Sequence, residues 1–338
     1  MNFASDNWAG ATEAVLAAVQ RHNSGFSPGY GNDPLTAAVG RRFSEVFERD
    51  VEIFFVGTGT AANAVSMAAA GRPGGLVLAS TEAHIHNDEF GATEFYSGGM
   101  KIIPVANRAG IIDPAALQAA IGRYGGRFGL PTVLSLTNAT ECGTVYSPAQ
   151  VAELAEIGKT NGLTVHMDGA RFANAVAALD ASPADITWKA GVDILSFGGT
   201  KNGCMMAEAV LVFDPGRFPN LAAIRQRAGH TASKARFIAA QFEGYFEDGN
   251  WLKTASHAND MAARLGAGLG NKARLAWESQ ANEVFPVLPK STIARLREAG
   301  AMFYEWSADG VGADEDCVRL VTSFATTADE VERFLALL

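Results

Sequence analysis

The stretch Leu163-Thr164-Val165-His166-Met167-Asp168-Gly169-Ala170-Arg171, with Asp193-Ile194-Leu195-Ser196-Phe197-Gly198-Gly199-Thr200-Lys201-Asn202-Gly203, decides how this chain is read. Each segment opens on a short apolar run suited to a buried strand and closes on glycine, where the chain must turn. Asp168 stands just past one strand and Lys201 just past the next. Further apolar, β-branched or aromatic runs appear at Val51–Val56, Leu76–Ala79, Lys101–Val105, Thr132–Leu136 and Ala209–Phe213. Between them lie helical patterns, among them Thr60–Ala70, Pro148–Thr160 and Phe172–Leu179, with Ser147-Pro148 as a helix-start signal. Alternation of this kind predicts an α/β fold with a mostly parallel seven-stranded sheet covered on both faces.

The texture changes after about Asp248. A helical stretch, Trp251–Gly270, leads into weaker strands at Glu283–Leu288 and Val318–Ser323 and helices at Pro289–Gly300 and Thr327–Leu338. The expected division is an N-terminal segment reaching the active site (1–15), a large domain (16–247) and a smaller α+β domain (248–338). The 338 residues are enough for that arrangement.

Composition narrows the function. Apolar residues make up 48% and charged residues 19%, which fits a globular chain and argues against disorder. The net charge of −9, with no Lys/Arg-rich run, gives no footprint for nucleic acid or an anionic membrane. No apolar stretch has the length of a membrane span, and Met1–Asn7 lacks the marks of a signal peptide. Cys142, Cys204 and Cys317 are widely spaced, odd in number and without a CxxC pair, which suits a reducing compartment and small buried hydrophobes. A cytoplasmic location is expected.

Taken singly, Asp168 reads as a helix N-cap and Lys201 as a loop charge. Together they meet the demands of pyridoxal 5′-phosphate: a lysine for its aldehyde and an acid that keeps the pyridine nitrogen protonated. They are 33 residues apart, one strand–helix–strand unit, so both can face one crevice at the carboxyl ends of the strands. A phosphate cradle is available at Gly57-Thr58-Gly59-Thr60-Ala61-Ala62-Asn63, where a strand turns into a helix with free N–H groups. His84, in Glu82-Ala83-His84-Ile85-His86-Asn87-Asp88-Glu89, can stack on the ring and move protons near neutral pH. His84 and His86 would also suit a metal, but no further His or Cys cluster completes such a site, and none is expected.

With these segments quoted, the chain resembles the PLP-dependent fold-type-I enzymes, and within them the low-specificity L-threonine aldolases and the similar phenylserine aldolases. The resemblance covers essentially the whole chain. It rests on Phe3-Ala4-Ser5-Asp6-Asn7, Tyr30-Gly31-Asn32-Asp33, the Thr58–Asn63 turn, Ala83-His84, His166–Arg171 and Phe197–Gly203. It implies Lys201 as the Schiff-base lysine, Asp168 at the ring nitrogen, His84 over the ring, and Thr58, Gly59 and Thr60 at the phosphate. It also implies Ser5, Arg171 and Arg319 at the substrate carboxylate, which agrees with the fork geometry of arginine.

Some relatives carry a histidine in the segment matching Leu136–Gly143, where this chain has Glu141, so Glu141 is the candidate to meet the substrate hydroxyl. Tyr30 and Asp33 are candidates near the site, reaching a neighbouring subunit's pocket, and Arg227 and Lys234 are read either as such groups or as solvated helix charges. The implied activity is cleavage of L-threonine, L-allo-threonine or phenylserine to glycine and an aldehyde by a homo-oligomer, dimer or tetramer. A β-eliminating lyase, a racemase or an aminotransferase on the same scaffold is the alternative.

Overall fold

The computed structural model describes residues 1–125 and 130–338. Seven strands form the main sheet: β1 (Glu52–Val56), β2 (Gly75–Ser80), β3 (Lys101–Val105), β4 (Leu130–Thr137), β5 (Thr164–Gly169), β6 (Ile194–Gly198) and β7 (Glu208–Val212). Their spatial order is β1-β7-β6-β5-β4-β2-β3. All seven fall where the apolar runs place them. The sheet is parallel except at β7, which pairs antiparallel with both β6 and β1. The reason is local: the segment between β6 and β7 is too short for a crossover helix and doubles back as a turn. Lys201 rides on that turn, in a short 3-10 segment, Thr200–Asn202.

The turn is held by packing on one side and close backbone approach on the other. Phe197, wholly buried, meets Phe43, Phe172 and Phe242 with ring centroids 5.2, 5.7 and 6.0 Å away. A Cβ on Gly198 would come within 2.5 Å of the Ala170 carbonyl oxygen, and one on Gly199 within 2.7 Å of the Ala207 carbonyl oxygen. Gly198 is therefore what lets the lysine turn lie against the Asp168–Arg171 turn, and Gly199 what lets that turn close on Ala207.

A second sheet lies beyond the long helix Asn250–Leu269 and is built from Arg274–Leu275, Glu283–Val284, Pro286–Pro289, Tyr304–Trp306 and Glu315–Val321. The strand expected over Glu283–Leu288 is interrupted between Val284 and Pro286, although both parts keep one register against Glu315–Val321. Pro286 has no N–H to give the ladder. Trp251 and Ala255 of the long helix sit in the main core, and Ala262, Leu265 and Leu269 sit in a separate core with Phe334. The chain start is tied to this second body. Phe3 is buried there, donating its N–H to the Met302 carbonyl (2.8 Å) and accepting from the Val321 N–H (2.8 Å). Among the described residues no helix is long and apolar enough to cross a membrane.

Candidate active site

The carboxyl ends of the parallel strands open into a cavity of about 750 Å³. Ser5, Thr58, Gly59, Thr60, His84, Glu141, Asp168, Arg171, Lys201 and Arg319 all line it, so ten of the sequence candidates share one space. Tyr30 and Asp33 do not line it. Tyr30 is exposed, and buried Asp33 caps the helix Pro34–Val46 by accepting from the Thr36 N–H (2.8 Å) and hydroxyl (2.7 Å). Arg227 and Lys234, both exposed, also lie outside the cavity lining.

Each side chain is aimed by its element. Thr58 caps the helix Gly59–Ala70: its hydroxyl accepts from the Ala61 N–H (3.1 Å) and its carbonyl from the Ala62 N–H (3.1 Å). Among the described residues the N–H groups of Gly59 and Thr60 have no partner at the positive end of the helix dipole, and nothing described would meet a Cβ at Gly59 within 4 Å. Asp168 is nearly buried. One of its oxygens accepts from the Ala170 N–H (2.9 Å) and the other from the Asn63 side-chain amide (2.7 Å). Two residues earlier on β5, His166 bridges Ser135 of β4 and Ser196 of β6, each at 2.9 Å, and burial holds its pKa down at about 4.

Lys201 makes no hydrogen bond or ion pair among the described residues. Burial, together with the Arg171 guanidinium, holds its amine below the usual lysine value. That favours the neutral, nucleophilic form. Glu141 accepts from the His84 backbone N–H (2.8 Å) and the Thr137 hydroxyl (3.1 Å) through one oxygen, while its second oxygen is buried without a hydrogen-bond partner among the described residues. Burial, with the neighbouring Asp168 charge, pushes its carboxyl up to about 7. Glu208, on the same cavity, is pushed up to about 7 by burial.

The arginine side of the cavity is a chain of alternating charges. Asp6 takes two bonds from Arg171, and Glu283 lies 3.5 Å from Arg171 and 3.9 Å from Arg319. Burial alone would raise the Asp6 carboxyl, but Arg171 and Lys201 outweigh it and hold it low. Glu283 is raised by burial despite both arginines. Its two oxygens and the Arg319 Nε have no hydrogen-bond partner among the described residues, and the Arg319 guanidinium lies over the Trp306 ring at 4.8 Å.

Sequence reasoning assigned no role to Asp6, Asn63, Glu89, Glu208 or Glu283. Asp6, Asn63 and Glu89 sit inside segments already singled out, so proximity to Ser5, Thr60 and His84 was the available signal. Glu283 gave none, because its place between two arginines depends on strand pairing across the second sheet.

The sequence profile of the beta-eliminating lyase family matches residues 2–288. Two low-specificity L-threonine aldolases, from a Pseudomonas species and from Pseudomonas aeruginosa, are 39% and 40% identical over 311 residues. Each alignment covers 91% of this chain and 90% of the relative. The threonine aldolase of Leishmania major superposes with a TM-score of 0.93 at 30% identity, covering 99% of this chain and 98% of that one. Aspartate aminotransferase from Thermus thermophilus shares the fold alone, at a TM-score of 0.73 and 17% identity over 99% of this chain and 90% of its own. The expected fold-type-I architecture is therefore the one observed, and the chain belongs to the beta-eliminating lyase family.

Proposed function

We propose that this chain is a pyridoxal 5′-phosphate-dependent aldolase that cleaves L-threonine, L-allo-threonine or related β-hydroxy-α-amino acids to glycine and an aldehyde. One observation carries the reading: an unpartnered lysine, a hydrogen-bonded aspartate, an open helix N-terminus and two arginines face the same cavity. The names of the Pseudomonas and Leishmania relatives point to the same reaction.

The donor set fits the cofactor. Lys201 would hold its aldehyde carbon and Asp168 its ring nitrogen. Thr58, Gly59 and Thr60, with two uncommitted N–H groups, would hold its phosphate, and His84 would lie against the ring. Bound there, the cofactor supplies a ring that accepts the electron pair released at Cα. The chain supplies the rest. Ser5, Arg171 and Arg319 bind the substrate carboxylate and so orient the Cα–Cβ bond for cleavage. A base at the hydroxyl, His84 or Glu141, takes its proton as that bond breaks and the carbonyl forms. A proton delivered to Cα then completes glycine.

The protein is read as a cytoplasmic homo-oligomer, dimer or tetramer, with the division into 1–15, 16–247 and 248–338 kept. The test is purified protein loaded with the cofactor and given L-threonine, L-allo-threonine and L-phenylserine. Equimolar glycine and aldehyde support the reading. Ammonia with a keto acid, or an exchange of stereochemistry without cleavage, overturns it.

A further inference from the structure

Behind the cavity-facing ring of His84 is a carboxylate that the scheme above does not use. Glu89 is 5% exposed, and its Oε1 lies 2.9 Å from His84 Nδ1. The same oxygen accepts from the Asn63 amide at 2.9 Å, and the other N–H of that amide goes to Asp168 at 2.7 Å. One nitrogen thus ties together the acid behind the imidazole and the acid assigned to the cofactor ring. The amide orientation is fixed by this arrangement, because a flipped Asn63 would point its oxygen at two carboxylates. Glu89 Oε2 is buried and has no hydrogen-bond partner among the described residues. A buried carboxylate with an orphaned oxygen is costly, and its retention calls for a gain elsewhere.

We propose that Glu89 is a positioning residue for His84: it accepts the Nδ1–H bond, fixes the ring orientation and tautomer, and leaves Nε2 to exchange protons with the reacting atoms. Asn63 joins this pair to Asp168 through hydrogen bonds, so the two acids are held at one spacing. With Nδ1–H given to Glu89, the neutral ring presents a lone pair at Nε2, and the protonated ring presents a donor there. His84 Nε2 has no partner among the described residues, and the side chain is 40% exposed. The hydrogen bond that His84 donates to Glu89, opposed by burial and aided by the Asp168 charge, raises the His84 pKa above the usual 6.5. The other charged groups facing the ring are Lys201, which opposes the shift, and Glu141, bonded to the His84 backbone; Glu82 and Asp88 line the same cavity.

This inference rests on the cofactor reading, but its failure is separable, since the His84 titration can be followed in cofactor-free protein. The measurement is an NMR titration of the histidine ring carbons in cofactor-free and loaded protein, with His84 assigned through His84→Asn. The parent should show a His84 midpoint above 6.5. Glu89→Gln keeps an acceptor for Nδ1 but removes the charge, so its midpoint should fall by about one pH unit. The limb of the kcat profile governed by His84 should move down with it, and Glu89→Asp should retain the raised midpoint. A parent midpoint at or below 6.5 overturns the proposal without any variant. So does a Glu89→Gln protein whose midpoint and pH profile match the parent, because Glu89 would then be structural only.

Discussion

Arg171 gives the Nε–Nη2 edge of its guanidinium to Asp6, at 2.7 and 3.1 Å, so one edge of its fork is committed before any substrate arrives. Arg319 is differently placed: its Nε is unpartnered and its nearest acid, Glu283, stands 3.9 Å away. The two arginines therefore divide the work. In the proposed clamp, Arg171, anchored in a buried ion pair, would have its Nη1 side left for a carboxylate, while Arg319, stacked on Trp306, makes no hydrogen bond among the described residues.

Lysine substitutions should separate these roles. Arg171→Lys keeps the charge but loses the bidentate fork on Asp6, and should cost about 1.5–3 kcal/mol of stability, together with activity. Arg319→Lys should fold with a near-parental Tm but weaken substrate binding by roughly 1.5–3 kcal/mol, read as KM for L-threonine. Thermal melts beside steady-state kinetics check both. Equal Tm losses in the two variants would remove the distinction.

Covalent attachment of the cofactor should occur at Lys201. Borohydride reduction of the loaded protein followed by peptide mapping should place the label on the peptide containing Thr200-Lys201-Asn202. A label on any other lysine removes Lys201 from its proposed role.

Asp168→Asn should keep the cofactor bound yet lower turnover at least ~100-fold, because an amide cannot hold the ring nitrogen protonated. The single amide oxygen can accept from Asn63 or from the Ala170 N–H but not both, so one of these bonds is lost as well. Cofactor absorbance and kcat, measured on one preparation, decide it.

Stability should fall as pH rises through neutrality, in a window set by Glu141 and Glu208. Both carboxyls are raised from 4.5 to about 7 in the folded chain, so the fold takes up protons that the unfolded chain has released. The advantage is complete below about 4.5 and is lost as pH climbs through about 7. It is worth on the order of 3 kcal/mol for each group. Melts of cofactor-free Glu141→Gln and Glu208→Gln should show a flatter pH dependence than the parent over that range.

The strands were legible because their apolar runs are uninterrupted and bounded by glycine or helix-start residues. Asp168 and Lys201 were legible because sequence spacing predicts their shared crevice. What lay beyond sequence was set by contacts between distant segments. Asp6 reaches Arg171 only because Phe3 docks beside Val321, and Glu283 meets both arginines across the second sheet. Within the chain Asp33 is occupied as a helix cap, a role its position before Pro34 already allowed.

The helix Asn250–Leu269 ties the lysine loop and the strand bearing Arg319 to one rigid rod. Its first turn carries the lysine loop, since Asn202 donates to the Trp251 carbonyl at 2.8 Å; farther along, the Ala258 carbonyl accepts from the Thr322 hydroxyl at 2.7 Å, just past the strand that bears Arg319. Seven residues separate those carbonyls, about 10 Å of rise, and an α-helix neither stretches nor compresses appreciably. The amine-to-carboxylate reach is common to every α-amino acid, so a fixed calibration there excludes none of them by side chain. If Lys201 and Arg319 hold the two ends of the amino acid as proposed, discrimination among aldehydes would fall to other cavity walls, such as Asn87, Tyr304 and Trp306, and those are the places to widen or narrow the choice.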